Sequence, residues 1–263
     1  KDAVPGIHMH AFSPLEIHQG ARTLGISVRE FLQELKAAGL GTLPGTAAEI
    51  LDDEVRATLC PDKIRTQEWL DVMRAAHELG FRSTATIMFG HMEDYRHWAR
   101  HLLRIRALQT ETGGFTEFVP LPFVHMETPI YLKGRARPGP TFREVILMHA
   151  VARLVLHPHI PNIQASWVKL GPEGVRRCLS AGVNDLGGTL MDESISRAAG
   201  ASHGQEMTPQ TMEEIIRACG RIPRQRTTLY RDADKALRRR SFEAAAARMR
   251  GGTEKSRLAA VGS

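Results

Sequence analysis

Between Gly6 and Tyr230, short strand-like runs alternate with amphipathic helical runs about six times. Strands separated by helices pair in parallel, so this alternation commits the chain to an α/β fold. The clearest joint is Thr86-Ile87-Met88-Phe89-Gly90-His91-Met92-Glu93. Arg82 to Ile87, rich in Thr and apolar residues, reads as a strand. Asp94 then opens a long helix with Trp98, Leu102, Ile105 and Leu108 on one face. Gly90 sits between them, where a residue without a side chain lets a ligand approach the backbone.

The other units follow the same signals. Strands are expected at Gly6 to Ala11, around Leu40 to Leu43, and at Phe115 to Val119, Asn162 to Ala165 and Val183 to Leu186. Pro14 suits a first helical turn, and Ser27 with Glu30 has capping-box spacing. Thr66 and Thr141 read as N-caps, Gly171-Pro172 and Thr208-Pro209 as helix starts, and residues 126–140 as a loop. Six units fall short of the eight of a closed TIM-type barrel. The expectation is therefore an incomplete (β/α) barrel over residues 1–230, with its two remaining units upstream of Lys1. A basic, Ala- and Arg-rich tail, partly disordered, occupies residues 231–263.

Composition narrows the partners. The net charge is +6, but residues 231–263 hold nine Lys/Arg against four Asp/Glu, so the body is nearly neutral. A broad nucleic-acid-binding face is not expected. Nothing resembles a membrane span or a signal peptide. Cys60, Cys178 and Cys219 match no metal-ligand spacing. Cys178 and Cys219 lie on apolar helix faces and read as core residues. Free thiols in this number suit a reducing, cytoplasmic setting.

In βα barrels, chemistry gathers at the C-terminal ends of the strands. Here those ends carry His8, His10 and Ser13; Thr46 and Glu49; Gly90, His91 and Glu93; Pro120 and His125; Ser166 and Lys169; and Asn184, Asp185 and Thr189. Taken singly, each is more often a helix cap or a solvated loop residue. Their recurrence at nearly every joint points to a ligand pocket. His8 and His10 alternate on a strand and share a face, but no spacing fixes a metal site with Glu93 or Asp185, and none is expected. Lys169 suits a Schiff base or an anion anchor. Gly187-Gly188 suits a phosphate. No nucleophile elbow is present.

Several runs together resemble a known family. They are His10-Ala11-Phe12-Ser13-Pro14, Pro44 to Leu51, Phe115 to His125, Ser166 to Gly171, Asn184 to Met191 and Arg224 to Thr228. Over about Val4 to Tyr230 they are similar to the C-terminal half of FO synthase, a radical S-adenosylmethionine family. The resemblance implies a transferase that joins the 4-hydroxybenzyl part of L-tyrosine to 5-amino-6-(D-ribitylamino)uracil. A companion FO synthase half or subunit then closes the ring of the deazaflavin FO, on the way to coenzyme F-420. It implies a 4Fe-4S cluster that cleaves S-adenosylmethionine, and a deoxyadenosyl radical that takes a hydrogen from tyrosine before its Cα–Cβ bond breaks. The protein's part is to bind these groups and shield the radicals.

By the same resemblance, Thr86 to Glu93 corresponds to the superfamily's G-x-I-x-G-x-x-E. Gly90 and Glu93 match, while Thr86 and Met88 replace the first Gly and the Ile. The strand through Met88 is then expected to support the adenine by backbone contacts, with Pro120 and Leu121 flanking it and Glu49 reaching the ribose or the amino acid. Ser166, Lys169, Asn184 and Asp185, with His10, Ser13 and His125, are the expected substrate contacts. The family's Cys-x-x-x-Cys-x-x-Cys loop is not in this sequence. The chain is accordingly expected to be a piece of the parent enzyme and inactive alone. A cluster-free substrate-binding barrel and a sister radical cyclase of menaquinone synthesis are the alternatives.

Overall fold

The computed structural model describes residues 1, 3–190, 195–200 and 206–245. Met191 and the tail beyond residue 245, both part of the expectations above, lie outside the described residues.

Helix boundaries follow the capping residues. Ser13 and Glu16 form a reciprocal capping box at α1 (Pro14–Leu24), and Ser27 and Glu30 another at α2 (Val28–Ala37). Each satisfies amide donors that a helix start leaves open. Strand β1 (Thr42–Leu43) precedes α3 (Asp53–Leu59) and α4 (Thr66–Glu78). The expected cap of α4 moves by one residue. Arg65 is the N-cap, its amide donating to Glu68 Oε2 at 2.7 Å, while the Thr66 amide donates to Asp53 Oδ1 at 2.8 Å. Strand β2 (Arg82–Phe89) leads into α5 (Tyr95–Thr112), where Asp94 Oδ1 accepts from the Arg96 amide at 2.9 Å.

Strand β3 (Phe115–Pro122) runs on past the expected Val119. The 126–140 loop contains a short helix, α6 (Pro129–Leu132), and Thr141 and Glu144 box the start of α7 (Phe142–Leu156). Helix α8 (Trp167–Ser180) begins before Gly171-Pro172. The helix expected to start there does so, parted from a short first turn by a kink at Gly171, φ 65° and ψ 177°. Helices α9 (Ile195–Ala198) and α10 (Pro209–Ala218) follow, the latter capped by Thr208.

The three strands pair in parallel in the order β1-β2-β3. Isolated parallel bridges extend the row: His10 to Thr42 on one side, Phe118 to Ile163 and then Gln164 to Asp185 on the other. The strands expected at Gly6 to Ala11, Asn162 to Ala165 and Val183 to Leu186 are thus single-bridge contacts.

Alternation gives the sheet two unlike faces. Ala85, Ile87 and Phe89 of β2 align with Phe118, Pro120 and Pro122 of β3 and pack against α5. Phe89 meets Trp98 edge-on with ring centroids 5.4 Å apart, and Phe118 lies 6.1 Å from His101. Ile87, Phe89, Phe118, Leu102 and Ile105 are fully buried. Each such side chain contributes about 1.5–3 kcal/mol by leaving water. The opposite, inner face carries Thr42, Thr84, Thr86, Met88, Glu117, Val119, Leu121, Gln164 and Asp185. The interior of a purely structural barrel is filled with Val, Ile and Leu. This face is largely polar.

The chain divides into two compact units. One comprises Lys1–Gly187 with Ser194–His203, the other Gly188–Glu193 with Gly204–Ser263. The division thus falls at Gly188, well before the expected residue 230. Within the second unit, Arg238 pairs with Glu213 of α10 at 2.6 Å, the Arg226 guanidinium lies 4.1 Å over the Tyr230 ring, and residues 235–245 are helical. Among the described residues no helix is long and apolar enough to cross a membrane.

Candidate functional site at the C-terminal strand ends

The loop after β1 has no regular structure, and side chains hold it. Thr84 Oγ1 accepts from the Gly45 amide at 2.8 Å, and Thr86 Oγ1 donates to the Gly45 carbonyl at 2.6 Å. A Cβ at Gly45 would lie 2.2 Å from the Thr84 carbonyl oxygen, so only glycine permits this approach. Trp69 Nε1 donates to the Thr46 carbonyl at 3.1 Å, and the Leu51 amide donates to His101 Nδ1 at 2.9 Å. Buried Arg56 reaches the carbonyls of Ala48 at 2.5 Å, Ile50 at 3.2 Å and Ile64 at 3.1 Å.

Inside this frame Ala47 and Glu49 take left-handed conformations, φ 59° and 39°, which are strained for residues with a side chain. The Glu49 carbonyl accepts from the Met88 amide at 2.7 Å, setting the two side by side. Lys63 Nζ binds Glu49 Oε1 at 2.5 Å, while Glu49 Oε2 is buried with no hydrogen-bond partner.

The turn after β2 is built around Glu93. Its Oε1 accepts from the Gly90 amide at 2.5 Å and Trp98 Nε1 at 2.8 Å; its Oε2 accepts from the His91 amide at 2.9 Å and the Met92 amide at 3.1 Å. Burial works against the charged carboxylate. The hydrogen bond and charge of His91, with the Gly90 and Trp98 donors, outweigh it and hold the acid well below the ordinary range. The Glu93 side chain is therefore committed to the turn. Gly90, at φ 95°, packs against Pro140, and the Arg137 amide donates to the His91 carbonyl at 2.7 Å, so the 126–140 loop covers this turn.

The structure gathers several of the expected residues. Met88 and Leu121 are register partners on the inner face beside Glu49. His125 and Lys169 line one cleft of about 350 Å³ with Phe123, Met126, Phe142 and Leu170. Lys169 Nζ donates to Ser196 Oγ at 3.2 Å, and the Glu127 amide donates to the Ala199 carbonyl at 3.3 Å, tying α9 to this mouth. Ser166 is the N-cap position of α8. Asp185 faces inward, its Oδ1 accepting from the Gly187 amide at 2.6 Å. His10 Nδ1 and His8 Nε2 both meet Thr42 Oγ1, at 2.8 and 2.7 Å.

Other expectations are corrected. Pro120 aligns with Ile87 on the outer face, so its ring points away from the side on which the Leu121 side chain stands. Asn184, one position before Asp185, points the other way; its Oδ1 accepts from Arg153 Nη2 at 2.8 Å and the Ile163 amide at 2.9 Å. Ser13 spends its hydroxyl on Glu16, at 2.6 Å. Cys219 is a half-buried C-cap of α10 rather than a core residue. Sequence reasoning missed Lys63 and Arg56. It also missed Glu117 and Gln164, which are hydrogen-bonded to each other on the inner face at 2.8 Å. The available signal was a charged or amide side chain inside a buried strand, as in Phe115-Thr116-Glu117-Phe118 and Ile163-Gln164-Ala165.

Among the described residues no cysteine joins a group able to share a metal ion; the one such group is Asp52, Glu54 and His97, and Asp52 is paired with Arg100 and Arg104. Buried Cys178 lies 3.8 Å from His149, and burial pushes its thiol up to about 12. These residues do not fit a 4Fe-4S cluster. The orphaned Glu49 oxygen beside the Met88 backbone does fit a hydroxyl-bearing nucleoside.

Parallel strands with polar tips agree with the sequence comparisons. Residues 7–105 match the family model of the radical SAM superfamily, and residues 112–238 that of the CofH/MqnC C-terminal region. The chain is thus similar to radical SAM proteins over its first part and to the CofH/MqnC C-terminal region over its second. It is 54% identical over 230 residues to the 5-amino-6-(D-ribitylamino)uracil--L-tyrosine 4-hydroxyphenyl transferase of Methanopyrus kandleri, covering 88% of this chain and 62% of that protein. Against the FO synthase of Streptomyces coelicolor the identity is 55% over 230 residues, 88% of this chain and 26% of that protein. The chain thus spans only part of the length of either relative. A solved structure of methylornithine synthase (PylB) superposes with a TM-score of 0.53 at 17% identity, over 76% of this chain and 57% of that one, a likeness of fold.

Proposed function

We propose that the chain forms the substrate- and nucleoside-binding part of a radical SAM transferase that joins the 4-hydroxybenzyl group of L-tyrosine to 5-amino-6-(D-ribitylamino)uracil in deazaflavin synthesis. The relatives' names supply the substrates. The observation that carries the site is Glu49 Oε2, buried and unpartnered beside the Met88 backbone. A buried carboxylate oxygen without a donor is costly and is satisfied by ligand hydroxyls.

Held by a cluster that these residues do not ligate, S-adenosylmethionine would supply a hydrogen-abstracting radical. This chain's residues bind and shield. Glu49 takes the ribose hydroxyls, with Lys63 fixing its other oxygen. The Met88 to Gly90 backbone and the Met88 and Leu121 side chains line the adenine. Lys169 and His125 hold the tyrosine carboxylate at the mouth of an apolar cleft, and the 126–140 loop excludes water. Ring closure belongs to a companion radical enzyme or half. A reducing, cytoplasmic setting suits the three free thiols.

Titration of the chain with S-adenosylhomocysteine tests the site. Glu49→Gln is expected to weaken binding about tenfold, the size of one charge-assisted hydrogen bond. Equal affinities would remove Glu49 from the site. Mass spectrometry of products, formed from tyrosine and the ribityl-uracil by the polypeptide carrying the cluster cysteines, tests the reaction. The joined adduct supports it, and its absence favours a quinone-pathway cyclase or a cluster-free binding module.

A further inference from the structure

We infer that Glu117, Gln164 and Asp185 form an acceptor wall on the inner face that reads the donor-rich pyrimidine, a diaminouracil bearing a polyhydroxylated chain. This deepens the proposed reaction and rests on it. The three residues stand on neighbouring parallel positions. Gln164 is the register partner of Asp185, and it follows Ile163, the partner of Phe118, which faces outward. Gln164 and Asp185 therefore point inward with Glu117. Gln164 Nε2 donates to Glu117 Oε2 at 2.8 Å, which turns the amide oxygen the other way, toward Gly187. A Cβ at Gly187 would come within 2.8 Å of that oxygen, so glycine keeps the space beside it open.

Glu117 and Asp185 are only 6% and 8% exposed. Carboxylates are rarely buried this far without a polar task, and apolar side chains are what a filled barrel uses here. A carboxylate has about four acceptor sites, so protein and ligand donors can share it. The pyrimidine offers ring N–H groups, amines and hydroxyls, all donors matched to such a wall. Tyrosine brings two donors, its ammonium and phenol, but also an apolar ring and a carboxylate that an acidic wall does not suit and the Lys169 cleft does. Each substrate is thus refused by the other's wall, because misplacement would bury unpaired polar groups.

The test is equilibrium binding of 5-amino-6-(D-ribitylamino)uracil and, separately, L-tyrosine to the chain and to Glu117→Gln. This change keeps the shape, and the Gln164 amide can turn to preserve the internal pair. Affinity for the ribityl-uracil is expected to fall about tenfold to a hundredfold, with tyrosine affinity and Tm unchanged. Should Glu117→Gln fail to fold, Asp185→Asn is read the same way. Unchanged ribityl-uracil affinity, or an equal fall for both ligands, would overturn the wall. Wild-type binding of tyrosine without the ribityl-uracil would overturn it while leaving the radical SAM reading in place. Binding of neither substrate would overturn both.

Discussion

Arg56 is 3% exposed and donates to the carbonyls of Ala48 and Ile50, on either side of Glu49, and to that of Ile64 just before α4. Replacing it by Met leaves those carbonyls buried without a donor, at about 1–3 kcal/mol each. Arg56→Met is expected to lose about 3 kcal/mol or more in urea denaturation and to weaken S-adenosylhomocysteine binding along with it. A variant of wild-type stability would show that the loop is held by its other contacts. Gly90→Ala meets two obstacles, a left-handed φ of 95° and Pro140 Cδ at 2.2 Å from the new Cβ. It is expected to lower Tm and open the 126–140 loop to proteolysis, whereas an unchanged digestion pattern would contradict that. Glu49 and Gly90 were legible because each sits at a strand end with a recognisable neighbourhood. Arg56 and Lys63 were not, since on a short helix and in a loop they read as ordinary solvated charges, and only tertiary closure turns them inward.

At the scale of elements, α4, α5 and α7 each bury a histidine. Burial pushes His77 down to about 4, His101 to about 3 and His149 to about 4. An unfolded histidine titrates near 6.5. As pH falls below that, the unfolded chain takes up protons that the folded chain refuses. The stability from these groups is complete above about pH 6.5 and is lost as pH drops toward 3–4. The urea midpoint is expected to fall between pH 7.5 and pH 5, and His77→Gln to make the fall shallower. A flat profile would mean that the folded helices admit the charge.

Long elements were readable. The Asp94 cap and the Thr- and apolar-rich run of β2 are local signals. The contacts at His10, Ile163 and Asp185 were not readable in detail, because a single bridge carries no period. Placing Pro120 with Leu121, or Asn184 with Asp185, failed for one reason: adjacent strand residues face opposite ways, and strand ends alone do not give the parity.

For the molecule as a whole, the three cysteines belong to three different elements, on α8, at the end of α3 and at the end of α10. Treated anaerobically with iron and sulfide, the chain is expected to acquire no 4Fe-4S electron-paramagnetic-resonance signal on reduction and to release no deoxyadenosine from S-adenosylmethionine. A stoichiometric cluster signal would show that thiols distant in sequence can converge. The two sides of the sheet answer to different demands. Cohesion comes from behind, where aromatic and aliphatic side chains meet the helices. The chamber side is thereby relieved of holding the molecule together. Apart from Thr84 and Thr86, which pin the loop after β1, alternate positions along each strand can be exchanged there at little cost to folding, so a scaffold of this kind can be refitted to another pair of reactants without rebuilding its frame.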